Sequence, residues 1–139
     1  MNKSSLVLYC ELLTVIVFCM QILFLIGRIL LGGYFLYSGI GHFKSLAGMT
    51  GYAKMKKVPA AKAAVVIGGI MLALGGLSIL LNRYAILGMC LLVVFLIPTT
   101  LMMHAFWKET DGQARMGEQI QFTKNLALIG ALILLVSIG

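Results

Sequence analysis

The sequence predicts an all-α integral membrane four-helix bundle with both termini outside, and three observations carry that prediction. Hydrophobic residues make up 61% of the 139 residues and charged residues only 11%, against about 25% charged in an ordinary soluble domain. Ala63 to Leu81 and Tyr84 to His104 contain no acid, lysine or arginine, and a helix needs about 20 apolar residues to cross the hydrocarbon core. Nothing alternates with period two, which removes a barrel, so the backbone must be satisfied within helices.

The elements follow in order. Leu6 to Phe43 is mostly apolar but interrupted by Glu11, Gln21 and Arg28. As one helix its 38 residues would reach roughly 57 Å, nearly twice the hydrocarbon thickness. The expected crossing is 21–43, leaving 1–20 as an apolar extension. That extension continues the helix, bends onto the interface, or precedes a true start at Met20. Residues 21–139 then form one domain, because no segment outside the spans is large enough for its own core. Between the first two spans, Pro59 biases Val58 toward extended geometry, so a short helix should end before it. Tyr52 and Met55 are placed at the interface, with lysines facing water. The second span, 62–81, carries Gly68-Gly69 and Gly75-Gly76 one heptad apart, a spacing that lets helices approach closely. Asn82-Arg83 makes a tight turn into the third span, 84–105, where Pro98 interrupts the ladder and Thr99 and Thr100 can re-satisfy freed carbonyls. Thr110-Asp111-Gly112 is a turn signal, and the last span is 121–138.

Charge sets the topology. Lys44, Lys54, Lys56, Lys57 and Lys62 lie between the first and second spans with no acid among them. The third connection balances Lys108, Arg115 and Lys124 against Glu109, Asp111 and Glu118. Lysine and arginine collect in cytoplasmic loops, so 44–61 and 105–121 are predicted inside a plasma membrane, in contact with anionic lipid heads. The net charge of +7 needs no nucleic acid. Cys10, Cys19 and Cys90 form no metal or redox motif and read as small buried hydrophobes. Glu11 and the absence of an Ala-x-Ala site argue against a secretory signal.

Function must therefore reside in the polar residues of the spans. Arg28, Gly32, Phe35, Gly39 and His42 follow 4-3-4-3 spacing and share one helix face, which should point into the bundle. Arg28 either snorkels to the headgroups or belongs to that face as a functional or packing residue. His42 and His104 end the first and third spans, and Trp107, Gln121, Lys124 and Asn125 fall at the same depth. These six side chains define a candidate polar rim for a quinone or a partner. Interhelical hydrogen bonding alone is the leading explanation of the rim. A quinone head group held by imidazole, amide and lysine donors is the next. Bis-histidine haem ligation is the weakest, and no motif for a metal or a standalone enzyme is present.

The same residues carry a family resemblance. Gly27-Arg28-Ile29-Leu30-Leu31-Gly32 and Ser38-Gly39-Ile40-Gly41-His42-Phe43 resemble the first helix of the DoxX family. His104-Ala105-Phe106-Trp107 is similar to its third-helix ending, and Gln121 to Gly130 to its fourth helix, with Ala131 completing the run. A lysine is common in the family where His42 stands, and residues 1–19 have no counterpart. The resemblance implies a bacterial inner-membrane protein associated with redox physiology, acting with soluble redox enzymes or membrane oxidoreductase subunits. The expected function is a small subunit or membrane anchor of a quinone-linked or oxidative-stress complex. A small-molecule transporter or channel and a ligand-free assembly protein are the alternatives, and a homo-oligomer is open.

Overall fold

A computed structural model describes residues 3–138. It contains five α-helices: α1 Lys3–Lys44, α2 Leu46–Met55, α3 Ala61–Leu81, α4 Ala85–Met103 and α5 Gly112–Ile138, with a short 3-10 turn at Phe106–Lys108 before α5. No strand occurs among the described residues. Four of the helices (all but α2) are long and apolar enough to cross a membrane. The chain is thus an all-α four-span bundle with one short helix between the first two spans.

The long helices pack in a row, α1 on α3, α3 on α4 and α4 on α5, while α2 lies against α3. Glycine decides how close that row becomes. A Cβ on Gly39 would stand 2.6 Å from the Ala73 nitrogen and 2.8 Å from the Gly69 carbonyl oxygen. One on Gly76 would stand 2.5 Å from the Leu36 nitrogen, and one on Gly32 would reach the Gly76 oxygen at 2.8 Å. The backbones of α1 and α3 are therefore in contact, as small residues permit in a membrane. The paired glycines of α3 divide their work. Gly69 and Gly76 face α1, whereas Gly68 meets Phe95 and Gly75 meets Leu92, both on α4.

α1 runs unbroken for 42 residues, about 63 Å at 1.5 Å per residue. Its bundle-facing half begins at Arg28, and every residue from Leu6 to Gly27 is exposed. The predicted inward face holds: Gly32, Phe35 and Gly39 are buried. Phe35 at 1%, Leu92 at 0% and Leu132 at 0% exposure bring α1, α4 and α5 into one core with Leu72 and Ile79 of α3.

Local chemistry ends each helix. α2 stops in a Schellman arrangement: Val58 N–H donates to the Ala53 carbonyl at 2.9 Å and Lys57 takes a positive φ of 59°. Val58 packs against Ala53, the contact that usually accompanies this cap, and Pro59 follows. Asn82, at φ 52°, ends α3, and Ser78 Oγ donates to the carbonyls of Arg83 and Tyr84 at 2.6 and 2.8 Å. α4 passes through Pro98, with Thr99 and Thr100 hydroxyls donating to the Phe95 and Leu96 carbonyls at 2.8 and 2.6 Å. α5 starts at Gly112, more than two turns before the expected span. Asp111 explains this, since its carboxylate accepts from Ala114 N–H at 2.7 Å and caps the first turn.

Candidate functional site, an amphipathic cavity at one rim

Because the row does not close back from α5 onto α1 as tightly as its neighbours pack, one end of the bundle stays open inside. A cavity of about 770 Å³ lies there, walled by α1 from Tyr34 to Lys44, by Ser45 and α2, by the first half of α3, by the second half of α4 and by Gln121, Lys124 and Asn125 of α5. Its depth is apolar, lined by Phe35, Met71, Leu72, Phe95 and Leu96. Its polar side chains gather toward the helix ends: His42, Tyr52, His104, Gln121, Lys124 and Asn125. Volumes of roughly 300–1,000 Å³ with a few convergent polar groups are typical of small-molecule sites.

Five of the six predicted rim residues meet at this cavity. His42 donates its Nδ1 hydrogen to the Ser38 carbonyl, 2.9 Å away and one turn back. A carbonyl only accepts, so the hydrogen of a neutral His42 ring is on Nδ1. Its ring also sits edge-on to Phe95, 6.1 Å between centroids. Lys124 donates to the Gln121 side-chain oxygen, leaving the Gln121 amide hydrogens free for other partners. Asn125 is 6% exposed, a buried amide on the wall of a cavity. The sixth, Trp107, stands apart. It is exposed and stacks edge-on with Phe106 and Phe122, at 5.2 and 5.7 Å, beyond the cavity lining.

Arg28 and Gly32 lie at the opposite end. The Arg28 Nε donates to the Ile79 carbonyl at 3.0 Å and its NH2 to Leu80 at 2.7 Å. Those carbonyls belong to the last turn of α3, where the regular helical donors run out and a cation is favoured, and the Ile79 carbonyl accepts also from the Asn82 N–H at 3.2 Å. Gly39 lies in the α1–α3 contact beside Gly69 and Ala73. These three residues set the packing of α1 on α3.

The ionic centre of the rim is a group of residues that charge counting treated only as loop balance. The Glu118 carboxylate accepts from Tyr52, from Lys56 Nζ at 2.7 Å and from His104 Nδ1 at 2.8 Å. Lys56 also pairs with Glu109 at 2.5 Å. One carboxylate thereby ties α2, the end of α4 and α5 together under the cavity. Burial pushes the Tyr52 hydroxyl up to about 12, and the adjacent Glu118 anion adds to the shift. Burial alone would lower the Lys56 ammonium, but its hydrogen bonds to Glu109 and Glu118 outweigh that and raise it. Lys56 does not face water with the other lysines, and Met55 stands 74% exposed while Tyr52 turns inward. Two spacings in the sequence point to this group. Tyr52 and Lys56 are four apart, and Glu118 precedes Gln121 and Asn125 by three and seven, so each set shares one helix face.

Fold and site together define a class: a small polytopic helical bundle with an amphipathic cavity at one rim and a packed apolar middle. The chain belongs to the DoxX family, whose family model matches residues 23–105. The match covers the bundle-facing part of α1 and all of α2, α3 and α4, while α5, with Gln121, Lys124 and Asn125, follows it. No curated protein and no solved structure gives a match.

Proposed function

We propose that this protein is a small membrane subunit of a redox complex whose rim cavity holds the head group of a quinone. The observation that carries the reading is the cavity itself: about 770 Å³, apolar in depth, with His42, His104, Gln121, Lys124 and Asn125 on its wall. A cyclic head group bearing oxygens would find imidazole, amide and ammonium partners there. Its isoprenoid tail would pass into the lipid, as α1 and α5 make no tight seam at this end. The exposed lysines Lys44, Lys54, Lys57 and Lys62 border the same rim and supply a surface for anionic lipid heads or an acidic soluble partner. A transport path is disfavoured by the core. Phe35, Leu92 and Leu132, each essentially without exposure, separate the Arg28 end from the cavity with no polar side chain among them.

The test is purification from native membranes in mild detergent, followed by extraction and assay of bound quinone. The wild-type chain should retain quinone, and His104→Ala and Asn125→Ala should lose it. If both variants leave quinone content and the set of co-purifying proteins unchanged, the cavity is not the functional site. A quinone-free wild type with a stable soluble partner would favour a ligand-free anchor instead.

A further inference from the structure

Two histidines on the cavity wall have the same hydrogen-bonding arrangement, reached by different means. His42 is held through Nδ1 by the Ser38 carbonyl at 2.9 Å, and His104 through Nδ1 by the Glu118 carboxylate at 2.8 Å. Both partners only accept, so both neutral rings carry their hydrogen on Nδ1. Glu118 is kept ionised for this purpose by Lys56 at 2.7 Å and by the Tyr52 hydroxyl. Each ring is left with a bare Nε2, which has no partner among the described residues. A bare Nε2 accepts a hydrogen bond and cannot donate one. The α5 part of the lining has the opposite character, because Lys124 and the amides of Gln121 and Asn125 can donate.

Resting on the quinone reading above, we propose that the cavity binds the reduced, hydroxyl-bearing form of its ligand in preference to the carbonyl form, with His42 and His104 Nε2 as the acceptors. The argument is one of satisfied groups. A quinol hydroxyl donates to an imidazole and still accepts from the α5 side chains, so it serves both kinds of group. A quinone carbonyl only accepts. It engages the donors of α5 and covers the two Nε2 atoms without giving either a hydrogen, and an acceptor that loses its water without gaining a partner is costly. One such loss corresponds to about tenfold in affinity. Tighter binding of the reduced form raises the potential of the bound couple, by about 30 mV for each tenfold in a two-electron couple. Such a site favours electrons entering the quinone rather than leaving the quinol. His42 and His104 are thereby specificity-determining residues, and Glu118 is a positioning residue that acts through His104.

The experiment uses the full chain in detergent micelles with decylubiquinone and its two-electron-reduced quinol as probes, alongside 15N spectra of the histidine rings. The expected result is quinol binding about tenfold or more tighter than quinone, with both rings in the Nδ1–H form. His42→Gln and His104→Gln each place an amide that donates and accepts, so each should shrink the preference. Should His104→Gln fail to fold, the His42→Gln variant and the ring tautomers still decide. Equal affinity for the two forms, preference for the quinone, or rings in the Nε2–H form would overturn the proposal while leaving a quinone site standing. Binding of neither form would overturn the quinone reading, and the proposal with it.

Discussion

Arg28 NH2 lies 2.7 Å from the carbonyl oxygen of Leu80, so the one arginine in the bundle-facing part of α1 closes the open end of α3. Its Nε reaches the neighbouring Ile79 carbonyl at 3.0 Å, and the guanidinium lies 5.9 Å from the centre of the Phe24 ring. A charge that would be expensive at the centre of a span is placed where two carbonyls of a last helical turn and a helix dipole favour it, the Ile79 carbonyl accepting also from the Asn82 N–H at 3.2 Å. Arg28→Ala should destabilise the bundle by about 1.5–3 kcal/mol, the range for hydrogen bonds to a charged group. Arg28→Lys should recover only part of this, because an ammonium lacks the planar fork that serves two carbonyls. Equilibrium unfolding in mixed micelles measures both. Ligand binding at the far rim should be unchanged in both variants, and a loss of binding without a loss of stability would contradict the packing role.

Glu118 is the next position to test, because it receives three donors from two segments, the end of α2 and the end of α4. Glu118→Ala strands Tyr52, leaves His104 Nδ1 without an acceptor and removes one of two partners of Lys56. Lys56→Ala leaves Glu118 with Tyr52 and His104 and deprives only Glu109 in full. The side chains are partly exposed, so the full buried-pair penalty of about 3–5 kcal/mol is an upper limit. The expected order is about 2–3 kcal/mol for Glu118→Ala and about 1 kcal/mol for Lys56→Ala. The same unfolding experiment gives both values, and a larger effect for Lys56→Ala would mean that Glu118 is not the centre of the group.

The bundle was largely legible in the chain and the centre of its site was not. Ala63 to Leu81 and Tyr84 to His104 had to be helices, because an uncharged stretch of that length has no other way to satisfy its backbone in lipid. The 4-3-4-3 stripe from Arg28 to His42 placed Gly32, Phe35 and Gly39 inside, since a helix face is fixed by spacing alone. Gathering His42, His104, Gln121, Lys124 and Asn125 followed from depth, which topology supplies. Trp107 shared that depth but not the direction, and depth carries no azimuth. Glu118 escaped for a related reason. Its value lies in meeting Lys56 and Tyr52, which are 62 and 66 residues away in the chain, and no local pattern records a contact between two connections. Within a loop it counted only as a charge that offset a lysine.

Raising pH should act on the same group from the α2 side. Tyr52 has its hydroxyl pushed up to about 12 by burial and by Glu118, and Lys56 is raised in the same direction by its carboxylate partners. A folded-state pKa above the unfolded value means the folded chain holds its proton longer. The associated stability is fully present below the unfolded tyrosine value of about 10 and is lost as pH rises through about 12. Absorbance titration of wild type minus Tyr52→Phe isolates this residue from the other tyrosines. The difference spectrum should show ionisation near the upper value, with α2 loosening over the same interval. Ionisation near 10 would mean that Tyr52 is not held against Glu118 in the folded chain.

The backbone contact between α1 and α3 provides a prediction with its own control. Any side chain at Gly39 meets backbone, 2.6 Å from the Ala73 nitrogen and 2.8 Å from the Gly69 oxygen, and backbone cannot rotate away as a side-chain tip can. Gly39→Ala must therefore push α1 off α3, at a cost of about 1–3 kcal/mol for overpacking. Gly76→Ala should behave alike, because its Cβ would stand 2.5 Å from the Leu36 nitrogen. Gly33 and Gly41 lie on the same helix as Gly39 but have nothing within 4 Å of an added Cβ. Alanine there improves helix propensity by up to about 1 kcal/mol without a clash, so Gly33→Ala and Gly41→Ala should be neutral or mildly stabilising. Because Gly39 sits one turn from His42, displacement of α1 should also widen the cavity mouth, and Gly39→Ala should weaken ligand binding where Gly32→Ala, at the far end, costs stability alone. Comparing unfolding and binding across these variants separates the packing of α1 on α3 from helix propensity. Equal effects at Gly39 and Gly41 would show that the two helices are not in backbone contact.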